Sequence, residues 1–194
     1  MSPWYGIGLF CLALVASVAI RIPHDQLSKK TQVKETRRGP LELFLLGLIA
    51  VGGLLLPVLF IFTPLLSFAD YGFSPVALGA GCLAAAGWLW LFHRAHADLG
   101  RNWSATLEVR DDHHLITTGV YAWVRHPMYS SLFLHAGAQA LLLANWIAGP
   151  AMFCCFVTMF ALRLRPEEKM MQDTFGEQYS AYCARTKRLI PGVW

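Results

Sequence analysis

The sequence has few charged residues, and those it has are unevenly distributed. Asp, Glu, Lys and Arg make up only 14% of the 194 residues, whereas hydrophobic residues make up 56%; soluble domains carry about 25% charged residues. No Lys or Arg occurs in residues 39–93 or 126–162. A Lys or Arg at the bilayer centre costs about 2.5–3.5 kcal/mol on insertion scales. The composition therefore excludes an ordinary soluble domain and predicts an integral membrane protein.

Several kinds of site are also missing from the sequence. The five Cys include no CxxC pair, so neither a zinc site nor a disulfide framework is expected. The seven His include one His-x-x-His and one His pair, too few for the repeated groups of a membrane di-iron oxygenase, so no metal is predicted. No Gly-rich loop of the Rossmann type follows a strand. The net charge of +4 lies in basic loops suited to anionic headgroups, and no nucleic acid partner is expected.

Five apolar segments are long enough, or nearly so, to span a bilayer, which takes about 17–25 residues. They are residues 3–20, 41–68, 74–92, 127–144 and 146–162. These segments use most of the chain, so residues 1–194 are predicted to form a single transmembrane domain. The predicted fold class is all-α, an integral membrane protein with about five transmembrane helices.

The basic residues predict the topology of these spans. All 16 Lys and Arg lie in residues 21–38, 94–125 and 163–188. Cytoplasmic loops carry an excess of Lys and Arg. The three windows therefore predict a multi-pass protein with its N-terminus outside and its C-terminus in the cytoplasm. The turns near residues 70 and 145, which lack Lys and Arg, are expected on the outer side.

Two charged clusters lie at the two ends of the last predicted hairpin, residues 127–162, which contains no charged residue. The first ends in residues 125–129 (RHPMY) and the second covers residues 163–168 (RLRPEE). A turn near Asn145 would bring both clusters to one side of the membrane. The resulting polar pocket at the lipid edge would suit an enzyme that joins a soluble cofactor to a lipid-borne substrate.

Simpler interpretations of these clusters stay open from residue types alone. Arg163 and Glu167 are four residues apart and could form only a helix-end ion pair. Arg125 and His126 could simply begin a helix that has Pro127 in its first turn.

Residues 99–191 contain a series of short motifs in a fixed order: Leu99-Gly100-Arg101, His114-Leu115-Ile116-Thr117-Thr118-Gly119-Val120-Tyr121, Arg125-His126-Pro127-Met128-Tyr129, Arg163, Glu167-Glu168, Phe175-Gly176, Tyr179, Tyr182 and Ile190-Pro191. With these motifs, residues 99–191 resemble the C-terminal region of isoprenylcysteine carboxyl methyltransferases. Their order around an apolar hairpin is shared with a wider membrane methyltransferase group that includes phospholipid N-methyltransferases. Ser131 stands where members often have Gly.

The resemblance implies S-adenosyl-L-methionine as methyl donor and a catalytic region at residues 93–194, after three spans in residues 1–92. The loop 93–126 and the tail 163–194 would form a cytoplasmic catalytic cap. The implied catalytic residues are Arg163 and Glu167, with Arg163 also binding the substrate. The implied donor-binding residues are His113, His114, Leu115, Ile116, Tyr121, His126, Pro127, Met128, Tyr129 and Glu167.

The chemistry agrees with a carboxylate acceptor. A C-terminal carboxylate has a pKa of about 3.3–3.7 and is already ionised at neutral pH, so no base is needed, and a guanidinium such as that of Arg163 pairs with it bidentately. The expected partners are a lipid-modified small molecule or a prenylated protein C-terminus, together with membrane lipids. Two alternatives stay open. One is N-methylation of an amino-lipid, for which Glu168 would act as base, and the other is a non-enzymatic lipid-binding protein.

Overall fold

The computed structural model describes residues 2–28, 33–36, 39–100, 108–110 and 114–194, so the candidate donor residue His113 lies outside the described residues. The longer elements are α1 (Trp4–Ser28), β1 (Val33–Thr36), α2 (Pro40–Ala50), α3 (Leu56–Phe62), α4 (Pro75–Leu99), β2 (Glu108–Arg110), α5 (Pro127–Leu142), α6 (Ala151–Phe175) and α7 (Glu177–Arg185). A π-helical turn (Val51–Leu55) joins α2 to α3, and 3₁₀ turns cover Pro64–Ala69 and Gly119–Ala122.

Three helical segments are long and apolar enough to cross a membrane. They are Trp4–Leu27, Pro40–Phe62 and Pro75–Leu99, and large apolar side chains such as Leu12, Leu43 and Val76 are exposed on them. This confirms the predicted all-α, multi-pass membrane protein. The sequence does not predict the two short strands, which pair antiparallel.

The last two predicted spans are short. Helix α5 has 16 residues, or about 24 Å at 1.5 Å per residue, against a hydrocarbon core of about 30 Å. Helix α6 begins at Ala151 rather than near residue 146 and continues past Arg163 to Phe175. The number of five spans therefore stays a prediction.

Proline and small residues position the helices. Pro40, Pro75 and Pro127 each begin a helix, where a fixed φ fits and the missing N–H is not needed. A Cβ on Gly81 of α4 would lie 2.7 Å from Leu142 Cδ2 of α5. A Cβ on Gly52 would lie 2.8 Å from Ala151 O of α6. Glycine at these two positions lets the helices approach closely, as small residues do at membrane helix interfaces.

Helix α5 lies at the centre of the core. On one side Leu142 packs with Phe10 of α1 and Trp88 of α4. On the other side Tyr129 packs with Leu45 of α2 and with apolar residues of α6. The first turn of α5 is thereby held beside both α2 and α6.

The polar loops gather at two ends of this bundle. At one end, Asn145 Nδ2 donates to Asp70 Oδ1 at 2.7 Å, which joins the two turns that lack Lys and Arg. At the other end, β1 pairs with β2, and the backbone N–H of Arg125 donates to Lys187 O at 2.7 Å. Helix α4 begins near the end that holds the Asn145–Asp70 hydrogen bond and runs toward the end that holds the β1–β2 pair. The three basic windows are thus linked to one another by backbone pairing.

Candidate functional site

Polar side chains from three helices meet where α5 begins. The Tyr129 hydroxyl donates to Glu167 Oε2, and His126 Nδ1 lies 3.5 Å from Glu167 Oε1. Arg163 lies between two carboxylates, with Nη1 at 3.1 Å from Glu42 Oε1 and Nε at 3.6 Å from Glu167 Oε2. We call Glu42, His126, Tyr129, Arg163 and Glu167 the Glu167 cluster. The Arg163–Glu167 helix ion pair is present, but it is one contact in a larger group.

The neighbouring carboxylate, Glu168, has different partners. Arg188 binds it through both carboxylate oxygens, and the shortest contacts are Nε to Oε1 at 3.0 Å and Nη2 to Oε2 at 2.8 Å. Arg125 Nη2 donates to Oε1 at 3.1 Å, and His126 Nε2 lies 3.5 Å from the same oxygen. Arg125, His126, Glu168 and Arg188 form the Glu168 cluster. It joins the C-terminal tail to the start of α5 and to α6.

Both carboxylates are held in the ionised form. Burial would raise the pKa of Glu167, but His126, Arg163 and Tyr129 outweigh it and lower that pKa. Burial likewise opposes ionisation of Glu168, and its contacts with His126, Arg188 and Arg125 hold its pKa well below the usual range. The same contacts act on His126, where burial would lower the pKa but Glu167 and Glu168 raise it. His126 is therefore shared by the two clusters.

The loop before α5 is fixed to the end of α4. The backbone N–H of Val120 donates to Asp98 Oδ2 at 2.8 Å. Gly119 has φ +60°, and a Cβ there would lie against the Asp98 carboxylate, so the loop requires glycine at this position. Tyr182 donates its hydroxyl to Tyr121 O at 2.5 Å. These contacts place the buried Tyr121 beside α4.

The implied donor-binding residues fall into two neighbouring groups. Ile116, Tyr121 and Met128 share one apolar cluster, whereas His126 and Tyr129 belong to the Glu167 cluster. Burial is the main cause that raises the pKa of Tyr121, and the negative charge of Glu167 raises it further. Tyr121 and Glu167, one from each group, therefore lie within electrostatic range of each other. Of the others, Leu115 is half-buried, His114 is exposed and Pro127 is buried at the start of α5.

A groove of about 470 Å³ opens beside Arg163. Its lining includes Leu41, Glu42 and Leu45 from α2 and Leu162, Arg163 and Pro166 from α6, with Arg165 and Lys169 also at its wall. Leu41 and Leu162 are exposed at the surface of their helices. We call this the α2–α6 groove; its lining includes both members of the Glu42–Arg163 ion pair.

Glu42 is a member of the site that the sequence interpretation misses. A signal was present, because Glu42 and Asp70 are the only charged residues in residues 39–93. An ionisable residue in an apolar segment usually has a partner and a function. Without a structure, however, nothing in the sequence pairs Glu42 with Arg163.

No metal-binding group of three or more His, Cys, Asp or Glu occurs among the residues that the structure describes.

This combination defines a class: multi-pass helical membrane proteins with a polar site at the helix ends, beside a groove between two helices. Within that class, the model of the isoprenylcysteine carboxyl methyltransferase (ICMT) family matches residues 80–173, which include most of both clusters. By this match, and by the relatives below, residues 80–173 of the chain are similar to the ICMT family.

Curated relatives carry the same name. A protein-S-isoprenylcysteine O-methyltransferase of Schizosaccharomyces pombe is 30% identical over 129 residues, covering 66% of this chain and 53% of that protein. The enzyme of Tribolium castaneum is 37% identical over 86 residues, covering 44% of this chain and 31% of its own length. The Homo sapiens enzyme is 36% identical over 86 residues, covering 44% of this chain and 30% of its own length. The matches thus span about a third to a half of each relative.

Proposed function

We propose that this protein is an S-adenosyl-L-methionine-dependent methyltransferase that esterifies the C-terminal carboxylate of an isoprenylated cysteine or a similar lipid thioether. One observation carries the proposal. The largely buried guanidinium of Arg163 lines the α2–α6 groove together with Leu41, Leu45 and Leu162, and it lies beside the Tyr129–Glu167 pair. The names of the relatives support a prenylated cysteine as acceptor.

The residues present fit the proposed methyl donor. Glu167 is ionised yet 25% exposed, so its carboxylate is available to an ammonium group or to ribose hydroxyls. Ile116 and Met128 are only partly buried and offer apolar surface. When bound, S-adenosylmethionine would supply a methyl group activated by a sulfonium: the C–O bond to the acceptor forms as the methyl C–S bond breaks, and the sulfur would leave as a neutral thioether with that bond's electron pair.

The protein's own task in this reaction is positioning. The acceptor carboxylate is ionised at neutral pH, so the site needs no general base. Arg163 binds and orients the carboxylate through its planar guanidinium. Holding two reactants in near-attack geometry is worth about 7–11 kcal/mol. The apolar walls of the α2–α6 groove would hold the lipid tail and keep water away from the carboxylate.

The contacts of Glu168 argue against the amine alternative. N-methylation of an amino-lipid requires a base that removes a proton from an ammonium group. Arg125, Arg188 and His126 surround Glu168 and hold its pKa well below the usual range. A carboxylate held in this way is a poor base.

The active site is proposed to face the cytoplasm, because the positive-inside rule applies to all three basic windows. Gly72 and Gln178 are exposed near opposite ends of the bundle. Cysteines introduced at these two positions should be labelled from opposite sides of the membrane, and only that at 178 from the cytoplasm.

The direct test uses the purified protein in lipid nanodiscs. Calorimetry measures donor binding, and transfer of labelled methyl groups is measured with a farnesylcysteine analogue and with phosphatidylethanolamine. We expect donor binding and a base-labile methyl ester on the analogue. Absence of donor binding would favour a lipid-binding protein, and transfer to phosphatidylethanolamine alone would favour the amine acceptor.

A further inference from the structure

Arg163, the cation proposed to bind the acceptor carboxylate, already forms an ion pair with a carboxylate of this chain. Glu42 Oε1 lies 3.1 Å from Arg163 Nη1, and the Glu42 side chain is only 6% exposed. Glu42 belongs to the first turn of α2, where the helix dipole stabilises a negative charge. It lies outside residues 80–173, which the family model matches.

Arg163 has limited capacity for a further anion. Glu42 and Glu167 already flank it, at 3.1 Å and 3.6 Å. A third carboxylate would place three negative charges around one guanidinium, and like charges at this spacing repel strongly where water is excluded. An acceptor carboxylate that binds Arg163 therefore has to exchange with one of the two.

Glu42 is the carboxylate that the geometry allows to leave. Glu167 has additional contacts with Tyr129 and His126, whereas the ion pair described for Glu42 is the one with Arg163. Glu42 also lines the α2–α6 groove, the route by which the carboxylate end of a lipid would reach Arg163.

We propose that Glu42 is a placeholder that occupies the acceptor-carboxylate position on Arg163 and is displaced when the acceptor binds. This inference rests on the proposed function. The ester product carries no negative charge, so Glu42 returns to Arg163 once the product has formed. Glu42 is thus a specificity-determining residue: an acceptor must bring enough contact along the groove to compete with a tethered carboxylate.

The test removes the negative charge of Glu42 and keeps the shape of its side chain. Glu42→Gln should lower the KM for the farnesylcysteine analogue by about tenfold, the equivalent of about 1.4 kcal/mol. Donor affinity should not change. Inhibition by the methyl ester of the analogue should not change either, because the ester does not use Arg163. A mutation that merely loosened the groove would alter the binding of acid and ester together.

The matched control is Asp173→Asn, which removes a carboxylate from the same helix, where it pairs with Lys169 rather than Arg163. It should leave the KM at the parental value. If Glu42→Gln does not fold, Glu42→Asp provides the second variant. Its shorter side chain holds Arg163 less well and should lower the KM in smaller measure.

Two results would overturn the proposal. One is an unchanged or higher KM in a folded Glu42→Gln protein, which would make Glu42 a support for Arg163 rather than a competitor. The other is an equal change for acid and ester. A parent protein that binds donor but never methylates the analogue would instead refute the proposed function, so the two failures are distinguishable.

Discussion

Glu167 and Glu168 are adjacent in sequence but have different surroundings. Glu168 contacts Arg188 twice, Arg125 and His126, and these contacts join three parts of the chain. Glu167 shares Arg163 with Glu42 and accepts a hydrogen bond from Tyr129. The two arginines on Glu168 join the C-terminal tail to α5 and α6. Arg163, the arginine on Glu167, is shared with Glu42, and a shared cation is one that a ligand can recruit.

The largest effect is expected from Arg163, the cation of the Glu167 cluster. Arg163→Ala should lower kcat/KM for the farnesylcysteine analogue at least about thirtyfold, because loss of one partner of a buried charge pair costs about 2–5 kcal/mol. Arg163→Lys keeps the charge but loses the planar fork, so it should restore activity only in part. Methyl transfer is measured beside donor affinity, which should persist.

Arg163→Ala also leaves the buried Glu42 without its ion pair, so a folding control is needed. The double variant Arg163→Ala with Glu42→Gln removes that charge and should be equally inactive while melting near the parental temperature. If Arg163→Ala methylated the analogue at the parental rate, the carboxylate role would be wrong and an amine acceptor would be the better interpretation.

The next effect should fall on stability and comes from the Glu168 cluster. Glu168→Gln keeps the shape but removes the charge that Arg125 and Arg188 share. Breaking a buried pair is strongly destabilising, and the partial exposure of Arg188 reduces the loss to about 2 kcal/mol. The melting temperature in detergent should fall by about 4–8 °C. A parental melting temperature would remove Glu168 from its structural role.

Replacement of Glu167 should affect donor binding rather than stability, and the expected change in free energy is smaller than that for Glu168. Glu167→Ala should weaken donor binding about tenfold, or about 1.4 kcal/mol, and leave the melting temperature close to that of the parent. Glu168→Gln is the matched comparison under the same calorimetric conditions. Unchanged donor affinity in Glu167→Ala would place Glu167 outside the donor pocket.

The sequence predicted the membrane class and two charged motifs, residues 125–129 and 163–168, because charge-free segments and local motifs are local properties. It did not predict Glu42 or Arg188 as members of the site, and it did not divide the charged residues into two clusters. Glu167 and Glu168 look equivalent in sequence, and only the tail, which returns to place Arg188 beside Glu168, distinguishes them. Glu42 was missed for the same reason, since its contact with Arg163 spans more than a hundred residues and depends on how α2 packs against α6.

The boundaries of the elements were predicted less well than their existence. The apolar run of the last span ends at residue 162, yet α6 continues to Phe175. Charge marks where a helix leaves lipid, not where its hydrogen bonding ends. The break comes at Gly176, whose φ is +51°, a conformation that glycine adopts without strain. The tail that follows residue 162 is therefore divided between the end of α6 and α7.

The smallest expected effect concerns His126, which contacts both carboxylates and so links the two clusters. Glu167 and Glu168 raise its pKa in the folded protein, above the unfolded value of about 6.5. Its contribution to stability is therefore complete below about pH 6.5 and is lost as the pH rises through the folded pKa. The two carboxylates, with their lowered pKa values, keep their charges over this range. The melting temperature should thus fall by a few degrees between pH 6 and pH 9. This fall should be absent from His126→Gln once the general pH dependence of the protein has been subtracted. An equal fall in both proteins would show that His126 is neutral in the folded state, and the two clusters would then be held together by the arginines alone.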